Sequence, residues 1–148
     1  MNKEITKEEI VEIYKRNHFT IPYNNVEVTF TINDLGYSDI YKFSFAIITA
    51  ENPMNKIYPN DINKKHNNLL EIKLKDLNYK YEKCIGGEGA HCENSFIIYE
   101  IQKNEAIDIG IEFKQYSIFY NDKIFLSYIE CATRDIILET KLIKKVRP

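Results

Sequence analysis

The chain has no tryptophan, three cysteines, four prolines and five glycines in 148 residues. So little proline and glycine excludes collagen-like and low-complexity architectures. Three cysteines cannot all pair within one chain. That argues against a disulfide scaffold and for reduced thiols in a cytoplasmic protein. No apolar run approaches the ~18 residues that span a membrane, so no membrane partner is expected. Met1-Asn2-Lys3-Glu4-Ile5 runs straight into charge without an apolar stretch, so no secretory signal is expected. Neither sign of charge dominates: 20 basic and 22 acidic side chains give −2 with histidine neutral. A duplex-DNA binder needs a strong basic excess, so there is no strong case for nucleic acid.

What is present is a globular composition: 44% hydrophobic, 13% aromatic and 28% charged residues. The length fits one domain, 1–148. Isoleucine (24) and asparagine (15) are abundant, a bias typical of AT-rich bacterial genomes.

Thr6 and Glu9 form a capping box that opens a first helix, with Ile10, Ile13 and Tyr14 on its apolar face and an end near Asn17. Pro22 falls in the connection that follows. Asn25–Ile32 alternates as a half-buried strand. Asn33-Asp34-Leu35-Gly36 reads as a turn. Lys42–Ala50 is apolar on both sides toward its end, so it belongs in the middle of a sheet. Asp61–Leu77 forms a second helix capped by Asn60. Tyr79–Ile85 is a strand, Gly86–Asn94 a long polar loop and Ser95–Ile101 another strand. Asn104 caps a third helix that runs to about Lys114. Ser117–Tyr120 and Lys123–Ile129 pair around Asn121-Asp122. Thr133–Lys145 is open between strand and short helix. The fold class is α+β: about three helices packed on a mixed or antiparallel sheet of five to seven strands.

Chemistry concentrates in two places. On the second helix, at about 100° per residue from Ile62, the leucines 69, 70, 74 and 77 define a buried arc with Ile72 outside it. Asn63 falls inside that arc and Asn67 at its edge. A buried amide needs partners, so Asn63 either ties down a loop such as Glu51–Asn55 or lines a pocket. The second place is the loop Gly86–Asn94. Its glycines let backbone N–H groups approach a ligand, but no Lys-Ser/Thr and no helix follow, so it is not a P-loop.

Cys84, His91, Cys92 and Cys131 total a Cys₃His set, yet no C-x₂-C spacing supports zinc, and neither metal nor cofactor is expected. Glu93 and Ser95 face the same way on an extended chain. Glu93 can serve as general acid or base, with His91 or Cys92 assisting. The basic run Lys141, Lys144, Lys145 and Arg147 reads as a solvated tail that balances acidity at Glu51, Glu88 and Glu93.

The ordered set Thr49-Ala50-Glu51-Asn52-Pro53, Asn63 with Asn67, Gly87-Glu88-Gly89, Glu93-x-Ser95-Phe96 and Phe113-Lys114-Gln115 resembles a bacterial family catalogued as domain of unknown function 3293. Tyr14 and Tyr23 resemble its N-terminal tyrosines. The resemblance spans about 14–120 and leaves 121–148 as a C-terminal extension. Glu51 and Glu88 depart from the family pattern and add negative charge. The resemblance implies a site but no reaction. The expectation is a polar pocket lined by Asn52, Asn63, Asn67, Gly87, Glu88, Gly89, Glu93, Ser95 and Gln115, in a binding or interaction module whose partner is a small polar ligand or a protein. An enzyme built on Glu93 is the alternative, and a purely structural polar cluster is the third reading.

Overall fold

A computed structural model of the chain describes residues 5–33 and 39–142. Among these, three α-helices and eight strands build one sheet. The first helix, α1 (Lys7–Arg16), starts where Thr6 accepts the Glu9 N–H. Strands β1 (His18–Tyr23) and β2 (Val26–Phe30) follow as a hairpin. Then come β3 (Phe45–Ile48), α2 (Asn60–Asp76), β4 (Tyr81–Glu88), β5 (His91–Tyr99) and α3 (Lys103–Glu112). The chain continues through β6 (Ser117–Asn121), β7 (Phe125–Glu130) and β8 (Ile136–Lys141).

The strand order is β2-β1-β4-β5-β3-β6-β7-β8, and every pairing is antiparallel. This corrects the sequence expectation: eight strands stand where five to seven were expected, and of the two arrangements, mixed or antiparallel, the sheet is antiparallel. Two readings caused the shortfall. Pro22 suggested a connection, but it lies inside β1, beyond the stretch His18–Thr20 that pairs with β4. One side of the strand carries no ladder there, so a missing donor is tolerated. The β1–β2 turn is Asn24-Asn25, both left-handed at φ 50 and 65, as a tight hairpin demands. The uncertain tail supplies the eighth strand, β8.

The nine-residue polar loop is also corrected. Gly86–Glu88 extends β4, His91–Asn94 extends β5, and only Gly89-Ala90 turns. Gly89 takes φ +56 at the turn. Gly87, at φ +137, lies so close to the opposite strand that a Cβ would sit 2.3 Å from the His91 carbonyl oxygen. These glycines let two strands turn and close up on each other.

The sheet is strongly curled. Strands β1 and β6 are four spacings apart, about 19 Å in a flat sheet. Yet the rings of Phe19 and Phe119 meet at 4.7 Å. The concave face holds one core: Ile10 and Tyr14 of α1 against Phe19, Ile21, Phe30, Phe45, Ile47, Ile97, Phe119 and Tyr128. The convex face holds another, with Leu70 and Leu74 of α2 and Ala106, Ile107 and Ile109 of α3 on Ala46, Ile48, Phe96 and Ile98. β3 lies centrally as expected, buried at all four positions.

On α2 the buried arc is narrower and rotated. It consists of Asn63, Asn67, Leu70 and Leu74, while Leu69 and Ile72 are 52% and 54% exposed and Leu77 is half-exposed. The two asparagines occupy the centre of the contact because they have backbone to bind there, and the flanking apolar residues are displaced outward. Asn60 begins the helix without a cap bond of its own, and Pro59 precedes it. The turn expected at Asn33–Gly36 and the tail residues Lys144, Lys145 and Arg147 lie wholly or mostly outside the described residues.

Candidate functional site

The C-terminal end of β3 leads into the segment Thr49–Tyr58, which the second helix holds by its two asparagines. Asn67 accepts from the Ala50 N–H at 2.8 Å and donates to the Asn94 carbonyl at 2.9 Å. Asn63 accepts from the Asn52 N–H at 2.9 Å and donates to the Asn52 side-chain oxygen at 2.9 Å and to the Tyr58 carbonyl at 3.3 Å. Asn52 Oδ1 also accepts from the Tyr58 N–H at 2.9 Å. Gln115 donates to the carbonyls of Glu51 (3.1 Å) and Phe113 (3.3 Å). Spaced one helical turn apart, Asn63 and Asn67 thus stitch one loop to the helix and, through Asn94, to β5.

The loop is strained. Asn52, Met54 and Asn55 all have left-handed backbones, at φ 47, 55 and 61. Asparagine adopts this region at little cost, but methionine does so rarely. The amide network holds the conformation in place.

Glu51 and Glu93 lie at the end of this network. Glu51 is buried, and its two oxygens accept from the Asn94 N–H (3.1 Å) and Asn94 Nδ2 (3.3 Å). Glu93 is half-buried, and its Oε2 accepts from Asn52 Nδ2 at 2.9 Å. Among the described residues nothing donates to its other oxygen. Burial pushes the Glu93 carboxyl above the ordinary carboxylate range, the Asn52 bond pulls it partly back, and the Glu51 charge pushes it up again.

On β5, Glu93 and Ser95 alternate with Asn94 and Phe96, so they share the concave side with Ile97. Ser95 Oγ donates to the Glu93 carbonyl at 3.3 Å. Tyr14 of α1 shares that side. Its hydroxyl bonds Ser117 Oγ at 2.5 Å, burial lifts its pKa to about 12, and the Glu93 charge adds to the rise. Tyr14 stacks on Tyr128 at 4.2 Å and 8°. The Tyr128 hydroxyl is buried beside the Asn17 side chain, without a well-formed hydrogen bond.

The structure therefore brings together Asn52, Asn63, Asn67, Glu93, Ser95 and Gln115. Gly87, Glu88 and Gly89 lie at the hairpin end, where the exposed Glu88 pairs with Arg16 at 3.1 Å. His91 is exposed on the same side of β5 as Glu93, and Cys92 is on the other, its Sγ donating to the Gly89 carbonyl at 3.2 Å. Cys84 is buried in the concave core and Cys131 in the convex one. Sequence reasoning missed Thr49, whose hydroxyl donates to the Asn94 carbonyl at 2.6 Å, together with Asn94, Ser117 and Tyr128. Only the alternation along β5 and β6 carried a signal for Ser117. Nothing local marks Tyr128, whose place depends on the curl.

Residues 48–118 match the family described as protein of unknown function (DUF3293). The DUF3293 match runs from the end of β3 to the start of β6. It contains the whole amide network, both glutamates, Ser95 and Ser117, and it leaves Tyr14 and Tyr128 outside. No curated protein and no solved structure matches the chain. Among the described residues no helix is long and apolar enough to cross a membrane.

Proposed function

We propose that this chain is a small bacterial binding module whose polar pocket opens at Glu93, on the concave side of the curled sheet. Asn52, Asn63, Asn67, Glu51 and Gln115 form the frame of that pocket, and Glu93 and Ser95 face the ligand. One observation carries the reading: Glu93 is half-buried, and one of its carboxylate oxygens has no donor among the described residues. That oxygen keeps contact with solvent, so it can accept a bond from a ligand. The left-handed segment Asn52–Asn55 adds support, since strain of this kind clusters at ligand sites. Free thiols at Cys84, Cys92 and Cys131 suit the reducing cytoplasm.

Ligand protection measured on two variants tests this. Asn63→Ala should lower the melting temperature, because it breaks the frame. Glu93→Gln should keep the melting temperature and lose ligand protection. A Glu93→Gln protein that melts several degrees lower and has no ligand counts against the pocket. The enzyme alternative draws support from the raised Glu93 carboxyl and from His91 on the same side of β5. Cys92 on the opposite side does not strengthen it.

A further inference from the structure

The outward side of α2 carries a pattern that the fold does not use. Asn63, Asn67, Leu70 and Leu74 are buried against the body of the protein. Two positions after each of them, about 200° around the helix, stand Lys65, Leu69, Ile72 and Asp76. All four are exposed, and Leu69 and Ile72 are apolar yet 52% and 54% open to solvent. Their spacing of four, three and four residues is that of a helix–helix seam, with apolar side chains in the middle and opposite charges at the ends. Neither Lys65 nor Asp76 belongs to an ion pair among the described residues.

Beside this stripe lies a place to seat another helix. Leu69, Ile72 and Leu77 of α2, with Phe113 just after α3, line an open groove of about 400 Å³. Lys73 and Glu112 also line it, but they pair with each other at 2.6 Å, so their charges are answered within the chain. Leu77 is 50% exposed, and Ile111 of α3 is 46% exposed. A contiguous apolar surface of this kind, rimmed by polar groups, marks a contact with another macromolecule.

The charges select which one. Let a second α2 run antiparallel, with a two-fold axis level with the Leu70–Glu71 bond. Leu69 of each copy then meets Ile72 of the other, and Lys65 of each meets Asp76 of the other. Parallel helices would set Lys65 on Lys65 and Asp76 on Asp76, and like charges repel. An antiparallel pair slid so that Leu69 faces itself would set Lys65 against Lys73. Of these arrangements only the first joins the apolar centre and satisfies both ends.

We propose that the chain forms a two-fold dimer through α2, with a second copy as the occupant of this face. The seam is about 17 Å long, which places the contact among the small, reversible ones. It lies on the outer side of the helix whose inner side holds the Thr49–Tyr58 segment through Asn63 and Asn67. It does not depend on the pocket reading.

Analytical ultracentrifugation of the full chain at low salt, over about 5–500 µM, is the test. The expected result is a reversible monomer–dimer equilibrium. Leu69→Lys, which leaves the isolated protomer folded, should raise the dimer dissociation constant roughly tenfold or more. Lys65→Glu and Asp76→Lys should each raise it roughly five- to tenfold, because each sets like charges opposite at both ends of the seam. An equimolar mixture of these two variants should regain association close to that of the unaltered chain, since each copy supplies the charges that the other needs. A helix that was merely destabilised would give no such recovery. A chain that stays monomeric throughout the range overturns the proposal and leaves the stripe to a different protein. Dimerisation unaffected by Leu69→Lys overturns it and moves the contact elsewhere, such as to the sheet edges at β2 and β8. Loss in both charge variants without recovery on mixing overturns the antiparallel register, and the proposal with it.

Discussion

Asn52 and Asn63 bond each other twice. The Asn52 N–H donates to Asn63 Oδ1, and Asn63 Nδ2 donates to Asn52 Oδ1, both at 2.9 Å. The pairing fixes which way each amide points, because neither can flip without setting donor against donor or acceptor against acceptor. It also leaves Asn52 Nδ2 as the group that reaches Glu93.

Asn63→Asp should therefore be more than a conservative change. The carboxylate still accepts from the Asn52 N–H but places oxygen against the Asn52 side-chain oxygen. A loss of about 2–3 kcal/mol is expected, which in a chain of this size lowers the melting temperature by roughly 4–12 °C. Calorimetric melting checks it, and a shift under one degree would mean that the pair does not hold the loop.

Leu69 and Leu70 are neighbours in sequence with opposite expectations. Leu70 is wholly buried under the convex core, so Leu70→Ala should cost about 2–5 kcal/mol. Leu69 is half-exposed, so Leu69→Lys should stay within about 0.5 kcal/mol. Urea titration of both variants separates them. From periodicity alone the two residues belonged to one buried arc. The distinction arises because Asn63 and Asn67 rotate the contact face of α2 toward backbone that only the folded sheet provides.

Gly87→Ala should destabilise the β4–β5 hairpin by about 2 kcal/mol or more. The φ of +137 disfavours any Cβ, and the His91 carbonyl occupies its place. Gly89→Ala, at the open turn with nothing within 4 Å, should cost less. Amide exchange along β4 and β5 would show faster opening in the first variant than in the second.

Glu93 should make stability depend on pH with a defined sign. Its folded pKa is raised above the unfolded value, so the folded state holds a proton that the unfolded state has released. The penalty from this carboxylate is full above the folded pKa and fades as pH falls toward the unfolded value. Relative to Glu93→Gln, the wild-type protein should gain stability as pH drops from about 7.5 toward about 4.5. Melting curves of both proteins across that range test it. A difference that stays flat would show that Glu93 is not desolvated.

Much of the site was legible before the fold. The side chains of Asn63 and Asn67 lie one turn apart on α2, and local geometry puts them on one face. Alternation on β5 puts Glu93 with Ser95 in the same way. The Thr6 cap, the three helices and the central place of β3 also follow from local pattern. The strand at Pro22 was not legible, because a proline is acceptable only where no neighbour pairs, and that depends on where β4 ends. The glycine run was not legible either: the same residues serve a loose loop or a tight hairpin, and the approach of the opposite strand decides.

What the sequence by itself determined is the local grammar: helix starts, side-chain faces and the density of amides and acids around residues 49–67 and 86–95. What only the tertiary structure decided is the curl. It brings β1 to β6 and sets Tyr14 and Tyr128 on the same side as Glu93. Those contacts join residues more than 70 positions apart, and no local period encodes them. They follow from the burial of two cores on opposite faces of one twisted sheet, which must bend to close the inner one.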